Sequence, residues 1–299
     1  MTSTFTIPLS LSDLSNAVTI GTNMYYIEAL YSGIATNPYS LLIVDMNGNY
    51  EITLPNRPAF KNLIFDLVDR QLPPPPKLIT EQEFKAAPNL TLNEAFERAL
   101  EIAKDLFILD DNRLYDLVVG WAFYTWLRSI FYKNINLYIG GFPATGKSIV
   151  LLFLRKIARY PIDYDPSTEK SFKWFISATK GVFLIDEAEY LTRAKTAKLR
   201  KYHDTKIEES RLIGLPLFGL ALITLRIDAP IALAATHLPP DSAFLSRGFI
   251  IRMQRRKPRI KSLDNIPVLY ILETAIPKTL WLNWFKIYSI ANEIYMELQ

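Results

Sequence analysis

Residues 135–148, INLYIGGFPATGKS, decide the fold. They contain G-x-x-x-x-G-K-[ST] as Gly141, Gly146, Lys147 and Ser148, directly behind a short apolar and aromatic run. That run reads as a buried strand, and residues 149–160, IVLLFLRKIARY, read as a helix. A strand before and a helix behind are the context that separates a phosphate-binding loop from a coincidental Gly-Lys-Ser turn. By average residue frequencies the motif alone arises by chance in roughly one chain of this size in a hundred. In such a loop, backbone N–H groups and the positive end of the helix dipole surround the phosphates. The expected cradle is Gly141, Phe142, Pro143, Ala144, Thr145, Gly146, Lys147, Ser148 and Ile149. Lys147 would reach the β- and γ-phosphates, and the Ser148 hydroxyl would ligate Mg²⁺.

Outward from the loop, the next chemical feature lies thirty-nine residues beyond Lys147, where Val182 to Ile185 are four consecutive apolar residues followed by Asp186 and Glu187. A run without polar alternation suits a central parallel strand buried on both faces. Open α/β sheets place ligands at the carboxyl ends of their strands, so Asp186 is placed to hold Mg²⁺. Glu187 is placed to orient and deprotonate an attacking water. The plainer alternative is a pair of carboxylates capping the next helix. Residues 230–236, PIALAAT, form a further buried run ending in Thr236 and then His237. Thr236 either hydrogen-bonds the attacking water or γ-phosphate, or simply closes a strand. Arg247 falls between a short expected helix and the strand Phe249 to Met253. An arginine there could reach a nucleotide held by a neighbouring subunit.

The chain has 299 residues, 49% apolar and 21% charged, a globular composition with length for one large or two ordinary domains. The absence of cysteine excludes disulfides, thiolate metal sites and a Cys nucleophile. His203 and His237 are the only histidines, too few for a histidine metal centre. Net charge is +4, and its meaning lies in its distribution. Seven cations fall between Arg193 and Arg211, against Asp204, Glu208 and Glu209. Arg252, Arg255, Arg256, Lys257, Arg259 and Lys261 form a run without an acid. Each stretch is either a solvated face or a surface for a phosphate backbone. The N-terminus has no basic leader followed by a long apolar core. The longest apolar candidate, Leu212 to Leu225, spans fourteen residues and contains Pro216. It is too short to cross a bilayer, so no membrane association and a cytoplasmic location are expected.

The remainder divides the chain. Residues 1–72 read as a small α+β accessory domain: Met24 to Tyr31 has strand character, Asn47-Gly48 between apolar runs signals a hairpin, and Pro58 to Gln71 is amphipathic. Pro73 to Pro76 open a linker over 73–90. Thr91 and Glu94 form a capping-box pattern for a helix to about Phe107. Leu114 to Tyr132 is apolar almost all round, the signature of a buried helix, its aromatics suiting core packing better than base stacking. Residues 263–299 read as a helical segment broken in two at Pro277.

These residues together resemble P-loop ATPases of the AAA+ and superfamily-3 helicase group, found in phage, plasmid and archaeal replication proteins. The resemblance covers Asp110 to Lys261, and its specific parts are the two Walker motifs. It implies a three-layer α/β domain over residues 91–262 with a parallel central sheet. It implies that Lys147 and Ser148 belong to Walker A, that Asp186 and Glu187 belong to Walker B, that Thr236 is sensor 1 and that Arg247 is an arginine finger. ATP and Mg²⁺ follow as substrate and cofactor, and a homo-oligomer, hexameric in many such proteins, as the assembly. DNA, single-stranded or forked, would lie against Arg193–Arg211 and Arg252–Lys261. The implied activity is a replicative helicase or replication-initiator motor; the alternative is a nucleotide-gated loader that remodels a partner without unwinding. One departure is Ala144, which replaces a glycine common in the AAA+ loop and is expected to keep a negative φ. No sensor-2 arginine is found in the C-terminal helices.

Overall fold

A computed structural model describes residues 17–20, 23–34, 37–53, 79–131, 133–164, 176, 180–200, 208–215, 219–226, 228–239, 241–254 and 267–297. Among them, four strands come first: β1 (Ala17–Ile20), β2 (Asn23–Ile34), β3 (Asn37–Val44) and β4 (Tyr50–Thr53), an antiparallel meander in that spatial order. The expected hairpin joins β3 to β4. Its tightness comes from Asp45, whose carboxylate accepts the N–H groups of Asn47 and Asn49. Gly48 takes the left-handed φ of +82°, whereas Asn47 keeps a negative one. The predicted helix over 58–71 and the proline run lie outside the described residues.

The helices α1 (Glu81–Ala86) and α2 (Leu92–Leu106) both open on capping boxes, at Thr80/Glu83 and Thr91/Glu94. Each box satisfies two otherwise orphaned backbone donors. Helix α3 (Asn112–Leu127) has ten buried residues. Its aromatics bury their rings and spend their polar tips on backbone. Trp121 Nε1 donates to Ile135 O at 2.7 Å and Trp126 Nε1 to Ile157 O at 2.9 Å, while the Tyr124 hydroxyl accepts Ile135 N–H. They are core staples, as expected, rather than a stacking surface.

The central sheet has five parallel strands: β5 (Asn136–Gly141), β6 (Pro161–Asp163), β7 (Val182–Ile185), β10 (Ile231–Ala235) and β11 (Gly248–Met253). Their spatial order is β11-β5-β10-β7-β6. Every residue of β7 and β10 is buried, so both faces are covered. This is an α/β domain consistent with a P-loop NTPase-like fold. Asn136, fully buried, ties the start of the sheet together. Its Oδ1 accepts Ile231 N–H, and its Nδ2 donates to the Tyr138 hydroxyl, which donates to Phe244 O at 2.6 Å. Helix α4 (Lys147–Ile157) follows β5 directly. Between β7 and β10 the chain makes a 3-10 turn (Ala188–Tyr190), helix α5 (Arg193–Leu199) and an antiparallel pair, β8 (Glu208–Leu215) and β9 (Gly219–Arg226). The described residues of the apolar stretch 212–225 thus lie in two paired antiparallel strands.

Helix α6 (Ser242–Leu245) precedes β11, and α7 (Pro267–Leu282) and α8 (Trp284–Glu297) close the chain. The predicted break at Pro277 is corrected: Pro277 lies inside α7, and the chain breaks at Asn283. Proline removes one hydrogen bond from a helix interior. Burial of Ala275, Ile276, Leu280 and Trp281 around it keeps the helix continuous. Trp281 and Trp284 join the surroundings of the meander and of the parallel sheet, since Trp281 packs on Phe84 and Trp126 while Trp284 stacks on Tyr26 at 5.3 Å. One hydrophobic core therefore runs from β2 through α7 to α3 and the parallel sheet. Among the described residues, no helix is long and apolar enough to cross a membrane.

Candidate nucleotide site

Three strand ends meet at one edge of the parallel sheet. Ala235 of β10 pairs with Gly140 of β5, and Leu233 pairs with Ile185 of β7. The loop after β5, the carboxylates after β7 and Thr236 after β10 therefore leave the sheet side by side. Neighbouring strands are about 4.8 Å apart, so the loop and the carboxylates stand roughly 10 Å from each other with Thr236 between.

The loop between β5 and α4 is shaped by two left-handed residues, Ala144 (φ 61°) and Gly146 (φ 92°), on either side of Thr145 with its negative φ. Alternating hands of this kind turn successive N–H groups toward one concave side, which suits an anion. The expectation that Ala144 keeps a negative φ is thus corrected. Its Cβ stays exposed, so the penalty is intrinsic backbone strain without a clash against packed atoms. Gly141 has no such freedom. A Cβ there would lie 2.6 Å from Met253 O and 2.8 Å from Thr145 Oγ1, so only glycine lets the loop sit on the end of β11. Thr145 Oγ1 donates to Phe142 O at 2.9 Å, closing the loop on itself. Lys147 Nζ donates to Gly141 O at 2.8 Å and Phe142 O at 3.1 Å. Ser148 is exposed in the first turn of α4, and Ile149 N–H bonds back to Gly146 O. Phe142 and Pro143 are exposed, Phe142 at 74%.

Asp186 and Glu187 are both exposed, immediately beyond the fully buried β7. Asp186 Oδ1 accepts the Glu187 N–H at 2.9 Å. Glu187 has φ of +50°, a left-handed kink that ends the strand and starts the 3-10 turn. That turn brings in Glu189, which the sequence reading passed over. Its Oε1 accepts the backbone N–H of Thr236. Desolvation raises the Glu189 pKa, but hydrogen bonds from Thr236 and the charge of Lys147 outweigh it and hold the carboxyl below its ordinary value. A third acid within DEAE was the available signal; its partner forty-seven residues away was not.

Arg247 is at the other end of the sheet. Its carbonyl accepts Asn136 N–H, and Gly248 pairs with Asn136, the first residue of β5. Five residue steps of about 3.3 Å put it some 17 Å from Gly141, away from the Gly141–Ser148 loop of its own chain. Its guanidinium donates to Ala243 O at 2.5 Å. Of the basic stretches, Lys195 lies over the Tyr190 ring at 4.9 Å and Arg200 pairs with Asp241 at 3.5 Å. Arg252 is exposed at the end of β11. Positions 201–207 and 255–261, with most of the remaining cations, lie outside the described residues.

No family model matches this chain, and no curated protein matches it. Solved structures do. The apo C-terminal region of NrS-1 aligns with 86% of this chain at 13% identity and a TM-score of 0.39. This chain spans 66% of that region's length, just under two thirds. NtrX from Brucella abortus, solved with ADP and with ATP, aligns with 52% and 51% of the chain, at 13% and 14% identity and TM-scores of 0.28 and 0.29. Likeness at this level assigns no activity to the chain.

Proposed function

We propose that this chain is a Mg²⁺-dependent ATP hydrolase of the AAA+ and superfamily-3 type, working as an oligomer on DNA. The observation that carries the reading is the convergence of the Gly141–Ser148 loop, Asp186-Glu187 and Thr236 on one sheet edge, with Arg247 at the opposite edge. The loop N–H groups and the α4 N-terminus would hold the phosphates, and Lys147 Nζ would exchange its two loop carbonyls for phosphate oxygens.

The residues fit Mg²⁺. Among the described residues no group of three or more acids or histidines forms a cage. Mg²⁺ instead takes one or two protein oxygens together with substrate phosphates. Ser148 and Asp186 supply such oxygens, both exposed at the same edge. The ion would neutralise charge on the transferring phosphoryl group. Glu187 would accept the proton of the attacking water, and Thr236 would orient that water or the γ-phosphate. Arg247 is too far from its own loop to serve it, which supports a role at a neighbour's nucleotide.

The test is the ATPase rate with and without single-stranded or forked DNA, alongside the mass of the assembly with a non-hydrolysable ATP analogue. The proposal expects DNA-stimulated turnover and a nucleotide-dependent oligomer. Turnover unaffected by DNA at low salt would remove DNA from it. A second reading, a nucleotide-gated loader, draws support from Lys195 and Arg200, whose charges are engaged within the chain by Tyr190 and Asp241. Strand displacement by the isolated protein would refute the loader.

A further inference from the structure

We infer that Glu189 is a positioning residue of this site, holding Thr236 in register through its backbone N–H. The inference rests on the ATPase reading above. Thr236 follows the last paired residue of β10, where the ladder ends and a backbone donor is left over. Glu189 Oε1 accepts that donor. Three local features bring the carboxylate there. Glu187 turns the chain with its left-handed φ, Ala188 is fully buried and anchors the turn, and Leu191 N–H closes it on Ala188 O. The result joins the acidic segment after β7 to the end of β10, across the position between Asp186 and the phosphate loop. The charge of Lys147 also helps to hold the Glu189 carboxyl below its ordinary value. A loosened Thr236 would misplace the group that orients water or γ-phosphate, which costs rate rather than binding.

Three variants separate the possibilities. Glu189→Gln keeps a carbonyl oxygen able to accept the Thr236 N–H and removes the charge. Glu189→Asp keeps the charge and withdraws it by one methylene. Glu189→Ala removes both. Positioning predicts that Glu189→Gln retains kcat within about threefold, whereas Glu189→Asp and Glu189→Ala lose roughly tenfold to a hundredfold in kcat. The ATP Kd, measured by titration of a fluorescent ATP analogue, should stay within about threefold in all three. Equal loss in Glu189→Gln and Glu189→Ala would overturn the inference, because the charge itself would then be required. Wild-type kcat in Glu189→Asp and Glu189→Ala would overturn it as well. If Glu189→Ala fails to fold, the contrast between Gln and Asp decides alone. Absence of ATP hydrolysis in the wild-type chain would refute the underlying ATPase reading; hydrolysis indifferent to position 189 would refute only this inference.

Discussion

Replacing Glu28 by Gln tests whether the antiparallel meander and the parallel sheet unfold as one body. Glu28 on β2 and Arg159, two residues beyond α4, form a bidentate pair at 2.8 and 2.9 Å, with 4% and 3% of their side chains exposed. The Tyr26 hydroxyl donates to the same carboxylate at 2.8 Å, and the guanidinium lies against the rings of Trp126 and Tyr160. Desolvation opposes the charge on Arg159, but Glu28 outweighs it and raises the pKa above the ordinary arginine value. Removing one partner of a buried pair costs about 3–5 kcal/mol, because the remaining charge loses its compensation. With a guanidinium slope of roughly 5 kcal/mol/M, the midpoint should fall by about 0.6–1 M. The assay is guanidinium unfolding followed by tryptophan fluorescence and far-ultraviolet circular dichroism. Both signals should move together in Glu28→Gln, and the double variant Glu28→Leu with Arg159→Met should recover much of the loss. An unchanged midpoint, or a double variant showing the full sum of the single losses, would refute the reasoning. Two separated transitions in the wild type would show that the shared core does not couple the sheets.

Ala144→Gly relieves a left-handed alanine and should raise stability by about 1 kcal/mol, or roughly 2–4 °C in Tm by calorimetry; a lower Tm would count against the loop geometry. Gly141→Ala drives a Cβ into Met253 O and Thr145 Oγ1, so it should weaken ATP binding tenfold or more, about 1.4 kcal/mol, in a nucleotide titration. Wild-type affinity would mean that the loop does not rest on β11. Asp45 is held below the ordinary 3.8, chiefly by Asn49. At Glu189, with an ordinary value of 4.5, burial pushes upward and is outweighed by the Thr236 bonds and Lys147; Asp241 is lowered likewise by Phe244 N–H, Thr196 and Arg200. Depressed folded-state values stabilise fully above the unfolded pKa and lose that contribution as pH falls through the folded one. Urea melts should therefore weaken below about pH 4.5, and stability that rises on acidification would contradict the assignment.

The parts legible in sequence were those with local signals. The strand and helix on either side of GFPATGKS, the uninterrupted VFLI and IALAA runs and the Thr91/Glu94 capping box each carry their own instructions within a few residues, and each folded as read. Ala144 misled because its φ is imposed by the loop around it, against its own preference. Pro277 misled because burial along α7 outweighs one lost hydrogen bond. The β8–β9 pair was masked by an apolar composition that spoke first to membrane length. Glu189 with Thr236 and Arg159 with Glu28 are separated by 47 and 131 residues, and nothing in either partner's neighbourhood announces the other. The division at the proline run was a reading of linker chemistry, while the apolar core crosses that boundary.

Strand β11 has its two ends at different kinds of place. It begins beside Arg247, and Met253 at its end supports the Gly141–Ser148 loop from below, within 3.7 Å of where a Gly146 Cβ would be. Six residues paired along the whole of β5 make a stiff rod rather than a hinge. In an oligomer of the proposed kind, that rod would have the chain's own nucleotide at one tip and the neighbour's at the other. Any displacement of Met253 on filling the loop would then be carried along β11 to the Arg247 end.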